Sequence, residues 1–192
     1  MPEVPEILQN ALRAANATFK KLEDLGPALS RAADLVTECL VSDHKLLVCG
    51  NGGSAADGAD FSAELACRFV NDRRPYPAMN LTQGGSLTSA IGNDYGFDEI
   101  FARQVWAFGQ RGDLLLAIST SGKSRNILRA LEEAKKRGLT SIALLGRDGG
   151  PAKGMAGVEL IVRGDSTARI QEAHKFLLHV LCEIVDARLP QA

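Results

Sequence analysis

The chain of 192 residues is long enough for one globular domain, or at most two small ones, and its 22 Lys and Arg against 23 Asp and Glu leave a formal net charge of −1. This balance argues against a broad basic surface of the kind that binds nucleic acid or anionic membranes. No apolar run reaches the roughly 18–20 residues of a transmembrane helix, and the first residues show no secretory signal pattern. The four cysteines have no CxxC spacing, so we expect reduced thiols and a cytoplasmic protein.

The start of the chain is predicted to form two amphipathic helices. Apolar residues recur at helical spacing over residues 6–41, as on helices with one buried face. The pair Gly26-Pro27 interrupts this pattern and is typical of a break between two helices. We therefore expect a helical extension over residues 1–41.

After this extension, short apolar runs alternate with amphipathic stretches. Uninterrupted apolar strands alternating with helices are typical of a parallel sheet that is covered on both faces. Pro77 favours a peripheral or early position in its strand. We predict one α/β domain over 1–192, a three-layer α/β/α sandwich with its core at 42–192. The predicted strands are 45–49, 76–80, 113–118, 141–145 and 158–162, and the predicted helices are 54–69, 86–92, 98–108, 124–137 and 167–188.

The loop at residues 119–124 carries the features of a phosphate site. It leads from a predicted strand into a predicted helix, whose first backbone N–H groups have no partner within the helix and lie at the positive end of its dipole. A serine-rich helix cap that binds nothing is the plainer interpretation, but four hydroxyls in six residues exceed what one cap needs. We interpret the loop as a cradle for a phosphate monoester. The hydroxyls belong to Ser119, Thr120, Ser121 and Ser124.

A second glycine-rich loop, at residues 50–55, matches the GxGxxA fingerprint of dinucleotide-binding folds. That function also requires an acidic residue at the end of the next strand to bind a ribose. The sequence at 79–82 is Met-Asn-Leu-Thr, without a carboxylate. Dinucleotide binding is therefore disfavoured.

Two predicted helices carry candidate acid–base or metal-binding residues. Asp57, Asp60 and Glu64 are spaced i, i+3 and i+7 and share one helix face. Gln171 and His179 lie eight residues apart on the last helix and can face one cleft. Such a set can bind a divalent metal ion or share proton transfers. Taken singly, the acids also suit a solvated helix face, and the histidine suits a packed core position.

Five segments together carry a family resemblance. The chain resembles the phosphoheptose isomerase family of the sugar isomerase (SIS) domain superfamily over nearly its whole length. The resemblance implies a five-stranded parallel sheet, and a homotetramer with active sites at subunit junctions that the N-terminal helices help to form. The segments are CGNGGSAAD at 49–57, AIGNDYGF at 90–97, AISTSGKSRNI at 117–127, LLGRDGG at 144–150 and ARIQEAH at 168–174.

The resemblance also implies the chemistry. It implies interconversion of sedoheptulose 7-phosphate and D-glycero-D-manno-heptose 7-phosphate through an enediol, the first step toward nucleotide-activated heptose. Glu64 and His179 match the acid–base pair, and a divalent metal ion, zinc in many members, is implied at position 60 together with Glu64, Gln171 and His179. The implied substrate-binding residues are Asn51, Gly52, Gly53, Ser54, Arg68, Asn93, Asp94, Ser119, Thr120, Ser121, Ser124 and Gln171.

Position 60 departs from the family pattern. The family motif DAQHFxAE has a metal-binding histidine where this chain has Asp60 in DGADFSAE. An aspartate can bind zinc, but it shifts the site toward oxygen ligands and lowers the charge of the complex, which makes the metal a weaker Lewis acid. The expected ligands are then Asp60, Glu64, Gln171 and His179. Ala168 also stands where some members carry an acid.

Functions from two classes stay open. One is the isomerase, with this or another sugar phosphate as substrate. The other is a non-catalytic SIS protein that binds a protein partner, such as a replication initiator, or senses a sugar phosphate. Asp60 favours the second, whereas retention of Glu64, Gln171 and His179 favours the first. Neither function involves nucleic acid or a membrane.

Overall fold

A computed structural model describes residues 3–189 of the chain, so the ends of the predicted domain, residues 1, 2 and 190–192, lie outside the described part. Helices and strands alternate after a helical start, as the sequence predicts. The helices are α1 Val4–Lys20, α2 Gly26–Val41, α3 Gly53–Ala66, α4 Gly85–Tyr95, α5 Ala102–Phe108, α6 Arg125–Arg137 and α7 Thr167–Arg188, and the strands are β1 Leu46–Cys49, β2 Ala78–Asn80, β3 Leu114–Ser119, β4 Thr140–Gly146 and β5 Val158–Val162. Short 3-10 turns occur at Lys21–Leu25, Phe97–Glu99 and Gly150–Ala152.

The strands between residues 46 and 162 form one sheet in the order β2-β1-β3-β4-β5, with every neighbouring pair parallel. The predicted five-stranded parallel sheet is confirmed. β2 lies at its edge, in agreement with the position that Pro77 favours. The central strand β3 is buried along its whole length, which explains its uninterrupted apolar sequence.

Apolar side chains pack on both faces of the sheet. Leu46 and Leu114 point to the face that is covered by α2, α3 and α7, whereas Leu47 and Leu115 point to the face covered by α4, α5 and α6, because successive strand residues alternate between faces. The predicted three-layer sandwich is confirmed. Within residues 3–189, no helix is both long and apolar enough to cross a bilayer.

The two N-terminal helices differ in how much of their apolar surface is buried. α2 is part of the core, but on α1 the side chains of Ile7, Leu8 and Leu12 are more than half exposed. The Gly26-Pro27 pair does not itself form the break between them: the 3-10 turn at Lys21–Leu25 separates the helices, and the pair opens α2. Proline is tolerated there because the first N–H groups of a helix have no partner within it.

α3 ends at Ala66, three residues before the predicted end, because Arg73 binds its last turn. The guanidinium donates hydrogen bonds to the carbonyl oxygens of Glu64 (2.8 Å) and Leu65 (3.0 Å), which have no partner within the helix. Its Nε also lies 2.6 Å from Oδ1 of Asp186 on α7, and both side chains are nearly inaccessible. This ion pair fixes the end of α3 against α7.

Replacing Arg73 with Met should lower the free energy of unfolding by about 3–5 kcal/mol, because the substitution leaves a buried carboxylate without its cation. Chemical denaturation of the two proteins at neutral pH measures the difference. The neighbouring Arg74, paired with Asp43 at a site where both side chains are more than half exposed, provides the matched control. Arg74→Met should cost less than about 1 kcal/mol, and equal losses in both variants would contradict this role of the buried pair.

Candidate functional site

The strand order places the candidate site between β1 and β3. α3, which follows β1, covers one face of the sheet, and α6, which follows β3, covers the other. The chain therefore leaves these two adjacent strands in opposite directions, and the crevice that this creates is where parallel sheets of this order bind ligands. The two glycine- and hydroxyl-rich loops of the sequence, 50–53 and 119–124, border it.

Asn51 and Asn126 connect the first of these loops with the start of α6, which follows the second. Each side-chain amide donates a hydrogen bond to the other's carbonyl oxygen, and both distances are 2.9 Å. Asn126 lies in the first turn of α6 and is almost completely buried. The reciprocal bonds hold the start of α3 and the start of α6 in one relative position.

The hydroxyl loop is arranged around the start of α6. Ser124 occupies the N-cap position, but its side chain makes no capping hydrogen bond to the helix. Its Oγ lies 3.4 Å from the Oγ of Ser119, while the hydroxyls of Ser119 and Ser121 accept backbone N–H groups of Gly122 (3.1 Å) and Lys123 (3.2 Å). Ser124 therefore does not cap the helix, whereas the hydroxyls of Ser119 and Ser121 bind the backbone of the loop itself.

A neighbouring loop fixes the shape of the hydroxyl loop. Gly122 has φ +62°, and a Cβ there would lie 1.9 Å from the carbonyl oxygen of Gly149. The carbonyl oxygen of Gly122 also accepts the N–H of Ala152 at 3.1 Å. Only glycine combines this backbone conformation with so close an approach.

Positive side chains line a cavity of about 580 Å³ next to these loops. Lys123 comes from the hydroxyl loop itself, and Asp148 and Asp165 contribute the negative charges. An excess of cations at this edge of the sheet attracts anionic ligands, although the whole chain is nearly neutral. The other cations at the cavity are Lys21, Arg147, Lys153 and Arg163.

A second cavity, of about 430 Å³, lies between α3 and α7. Gln171 approaches so close to Gly53 that a Cβ on the glycine would lie 2.1 Å from Nε2 of the glutamine. This contact brings the implied substrate-binding residues Gly53 and Gln171 together, at the start of α3. The cavity is lined by Asp57, Ala168, Gln171, Glu172 and Lys175.

Lys175 is the cation of this cavity. Its ammonium group is ion-paired with Oδ2 of Asp60 and lies 3.9 Å from Oδ1 of Asp57. The Asp57 side chain is only 9% exposed, against 61% for Asp60. Burial raises the pKa of Asp57 above its ordinary value, and Lys175 and a hydrogen bond from Gln171 act against that rise. The acid stripe on α3, formed by Asp57, Asp60 and Glu64, is thus partly neutralised by a lysine on α7.

The implied acid–base pair lies on the same two helices. Glu64 and His179 are both half-buried, and the ring of His179 lies 6.1 Å from that of Phe69. His174 on α7 is fully buried, and its Nε2 lies 2.9 Å from the carbonyl oxygen of Leu145, so it belongs to the core. Burial lowers the pKa of His174 to about 4. Of the two histidines on α7, only His179 is open to the solvent side.

The expected metal ligands do not form a metal-binding cluster. Among residues 3–189, no three His, Cys, Asp or Glu side chains lie close enough together to hold a metal ion. Asp60 instead points to the ammonium group of Lys175. The set Asp60, Glu64, Gln171 and His179 stays an untested prediction, and the arrangement of its donors does not fit a bound cation.

Other implied substrate-binding residues lie apart from the two cavities. Asn93 and Asp94 are exposed on α4, where the Asn93 amide donates a hydrogen bond to Oδ1 of Asp94 at 2.8 Å. Asp94 lines a different cavity with Tyr95 and Arg103. Arg68 is exposed beyond the end of α3 and donates a hydrogen bond to the carbonyl oxygen of Val70 (3.3 Å). Within one subunit, these three residues are not brought to the crevice.

Sequence reasoning missed Asn126 and Lys175. Lys175 stands four residues after Gln171 and four before His179, and this spacing was a usable signal for a shared helix face. Asn126 follows the hydroxyl loop, but nothing in its neighbourhood predicts a bond to Asn51. That bond depends on the order of the strands.

Comparison with known proteins shows close relatives. The chain matches the family model of the SIS domain over residues 12–146. A phosphoheptose isomerase from Shewanella sediminis is 49% identical over 170 residues, which are 87% of this chain and 86% of that protein. Solved phosphoheptose isomerase structures from Neisseria gonorrhoeae and Francisella tularensis are each 40% identical, with TM-scores of 0.89 and 0.92, and cover 96% and 97% of this chain and the whole of theirs. The similarity includes the sheet and the helices that carry the candidate residues.

Replacing Asn126 with Ala should remove both hydrogen bonds to Asn51 and lower the free energy of unfolding by about 1–3 kcal/mol, because the half-buried amide of Asn51 loses its partner. Denaturant unfolding of Asn51→Ala, Asn126→Ala and the double variant measures the coupling between the two side chains. We expect a coupling free energy of about 1 kcal/mol or more. Additive losses in the double variant would show that the pair does not connect the loops.

Proposed function

The chain belongs to the phosphoheptose isomerase family of SIS-domain proteins, and we propose that it interconverts sedoheptulose 7-phosphate and D-glycero-D-manno-heptose 7-phosphate. One observation carries the proposal beyond the family relationship. Asn126, in the first turn of the helix that follows the hydroxyl loop, is bonded to Asn51 in the loop before Gly53, against which Gln171 packs. A phosphate site and a cavity for the rest of the sugar therefore adjoin.

The phosphate of the substrate binds at the hydroxyl loop. Ser124 is the N-cap of α6, and Ser119, Thr120 and Ser121 precede it in the chain. Backbone N–H groups and the helix dipole favour an anion at this helix start. The neighbouring basic cavity attracts the dianion toward this edge of the sheet. The binding energy of this remote group holds the open-chain sugar so that its reacting carbons lie beside Glu64 and His179.

The isomerisation is a pair of proton transfers through an enediol. In the direction from ketose to aldose, Glu64 removes a proton from C1, and the electrons of the broken C–H bond form the C1–C2 double bond of the enediol. His179 moves the proton between O1 and O2, and Glu64 returns its proton to C2. No oxidant or reductant is consumed.

The proposal includes a homotetramer that works in the cytoplasm. The apolar residues Ile7, Leu8 and Leu12 of α1 are more than half exposed, which suits a subunit interface. A neighbouring subunit can also complete the site at the exposed Arg68, Asn93 and Asp94. All four cysteines are free thiols, in line with a reducing compartment.

Light scattering coupled to gel filtration should give the mass of four chains. Replacing Leu8 and Leu12 with Lys should reduce that mass, because charges would be buried in the interface. The same double replacement at Glu23 and Asp24, which are exposed on the turn after α1, is the control and should keep the tetramer. A monomeric wild-type protein would contradict this part of the proposal.

Glu64→Gln should lower kcat by about 10² or more, because the amide cannot accept the C1 proton. The measurement is conversion of sedoheptulose 7-phosphate followed by NMR, with thermal unfolding as a check on the fold. Glu183→Gln, at an exposed position on α7, should keep normal turnover. Near-normal turnover of Glu64→Gln would refute the assignment of the base. A wild-type protein without turnover, with or without added divalent metals, would favour the non-catalytic alternative.

A further inference from the structure

The positive charge of the α3–α7 cavity comes from a side chain of the protein. We propose that the ammonium group of Lys175 takes the place of a divalent metal ion in this enzyme and donates a hydrogen bond to the carbonyl oxygen of the substrate. The proposal rests on the isomerase function proposed above. It makes Lys175 a catalytic residue and Asp60 the residue that positions it.

The position of Lys175 on its helix is the first support. Gln171, Lys175 and His179 follow one another at intervals of four residues on α7 and so share one face. Lys175 is the middle member, between a residue that contacts the start of α3 and the implied acid–base histidine. Lys175 and Gln171 also line the same cavity, so the lysine lies beside a residue that is implied to bind the substrate.

The contacts of Lys175 are the second support. Its ammonium group reaches two carboxylates of α3, Asp60 in an ion pair and Asp57 at 3.9 Å. The Lys175 side chain is 29% exposed, less than half as much as that of Asp60, and it lines the cavity. Of the two acids that face the ammonium group, Asp57 is nearly buried, whereas the ion pair with Asp60 lies at the protein surface.

Charge is the third support. A divalent cation bound by Asp60 would either displace the ammonium group or lie within a few Å of it, where like charges repel strongly. The residue that replaces the family's histidine therefore binds a built-in cation and not a metal ion. Asp60 and Lys175 would each weaken a metal site, but together they form an ion pair that supplies the positive charge.

The chemistry needs no further reactant. As Glu64 takes the proton from C1, negative charge develops on O2, and the ammonium group of Lys175 stabilises it through a hydrogen bond while keeping its own proton. His179 then protonates O2. The lysine thus stabilises the negative charge on O2 that a metal ion would otherwise stabilise. The protons and electrons that move all belong to the sugar, Glu64 and His179.

The test compares wild type with four variants of the protein. Lys175→Met removes the charge at similar side-chain length, and Lys136→Met, at an exposed position on α6, is the matched control. The double variant Asp60→His with Lys175→Met restores the histidine of the family motif and removes the competing cation. Each protein is incubated with zinc, passed through gel filtration and measured for bound zinc, thermal unfolding, kcat and KM with and without chelator.

We expect wild type and Lys136→Met to retain almost no zinc and to change kcat by less than about twofold with chelator. Lys175→Met should lose about 10²–10³ in kcat, the loss typical of a missing oxyanion donor, with a much smaller change in KM. The double variant should retain close to one zinc per chain and lose its activity with chelator. Lys175→Arg should keep more activity than Lys175→Met, because arginine retains the positive charge.

Several results would overturn the proposal. Wild type that retains one zinc per chain and loses activity with chelator would leave the isomerase intact and remove the role of Lys175. Normal kcat in Lys175→Met would do the same. A wild type without turnover under any condition would refute the proposed function and the catalytic role together. The zinc content of wild type against the double variant would then still decide whether the lysine replaces a metal.

Discussion

The adjacency of β1 and β3 is the constraint on which the site depends. Parallel strands end at the same edge of a sheet, and here the helices that follow these two neighbours cover opposite faces. The two helices therefore diverge at that point and leave a crevice between them. No buried apolar side chain has to be exposed to create it. The hydrogen bonds between Asn51 and Asn126 then link the loop after β1 with the start of α6. A phosphate loop and the start of α3 become parts of one site through this pair.

The distribution of charge explains how a nearly neutral chain can select an anion. The net charge of −1 does not say where the charged side chains lie. Several cations lie beside the hydroxyl loop, and the acids of α3 face a lysine at the second cavity. A phosphate monoester needs only local donors and a local excess of positive charge. Overall neutrality keeps the remaining surface free of non-specific attraction to polyanions.

The interface of α3 and α7 combines stability with chemistry. At one end, Arg73 and Asp186 fix the two helices in a nearly inaccessible ion pair. Further along, the same helices carry the acid stripe, Lys175 and the implied acid–base pair in less buried surroundings. A rigid pair of helices suits reacting groups, because small displacements of catalytic groups cost much of the rate. The buried pair therefore supports the position of Glu64, whose carbonyl oxygen Arg73 binds directly.

The sequence by itself determined the class of fold and the family, and it predicted which loops bind the ligand. Apolar runs and helical spacing are local patterns, so they predicted the alternating elements, and the hydroxyls of 119–124 predicted an anion site without knowledge of any long-range contact. Helix ends were less certain: the end of α3 is set by Arg73, seven residues beyond it.

Only the tertiary structure decided which residues meet. Asn51 and Asn126 are 75 positions apart, and Lys175 and Asp60 are 115 apart, so neither contact can be read from spacing along one helix or loop. From the sequence, Asp60 looked like an altered metal ligand. The packing of α7 on α3 places a lysine opposite it. The acids of α3 and the lysine of α7 meet because of the strand order and of the sheet face on which each helix packs. The local sequence does not determine this contact.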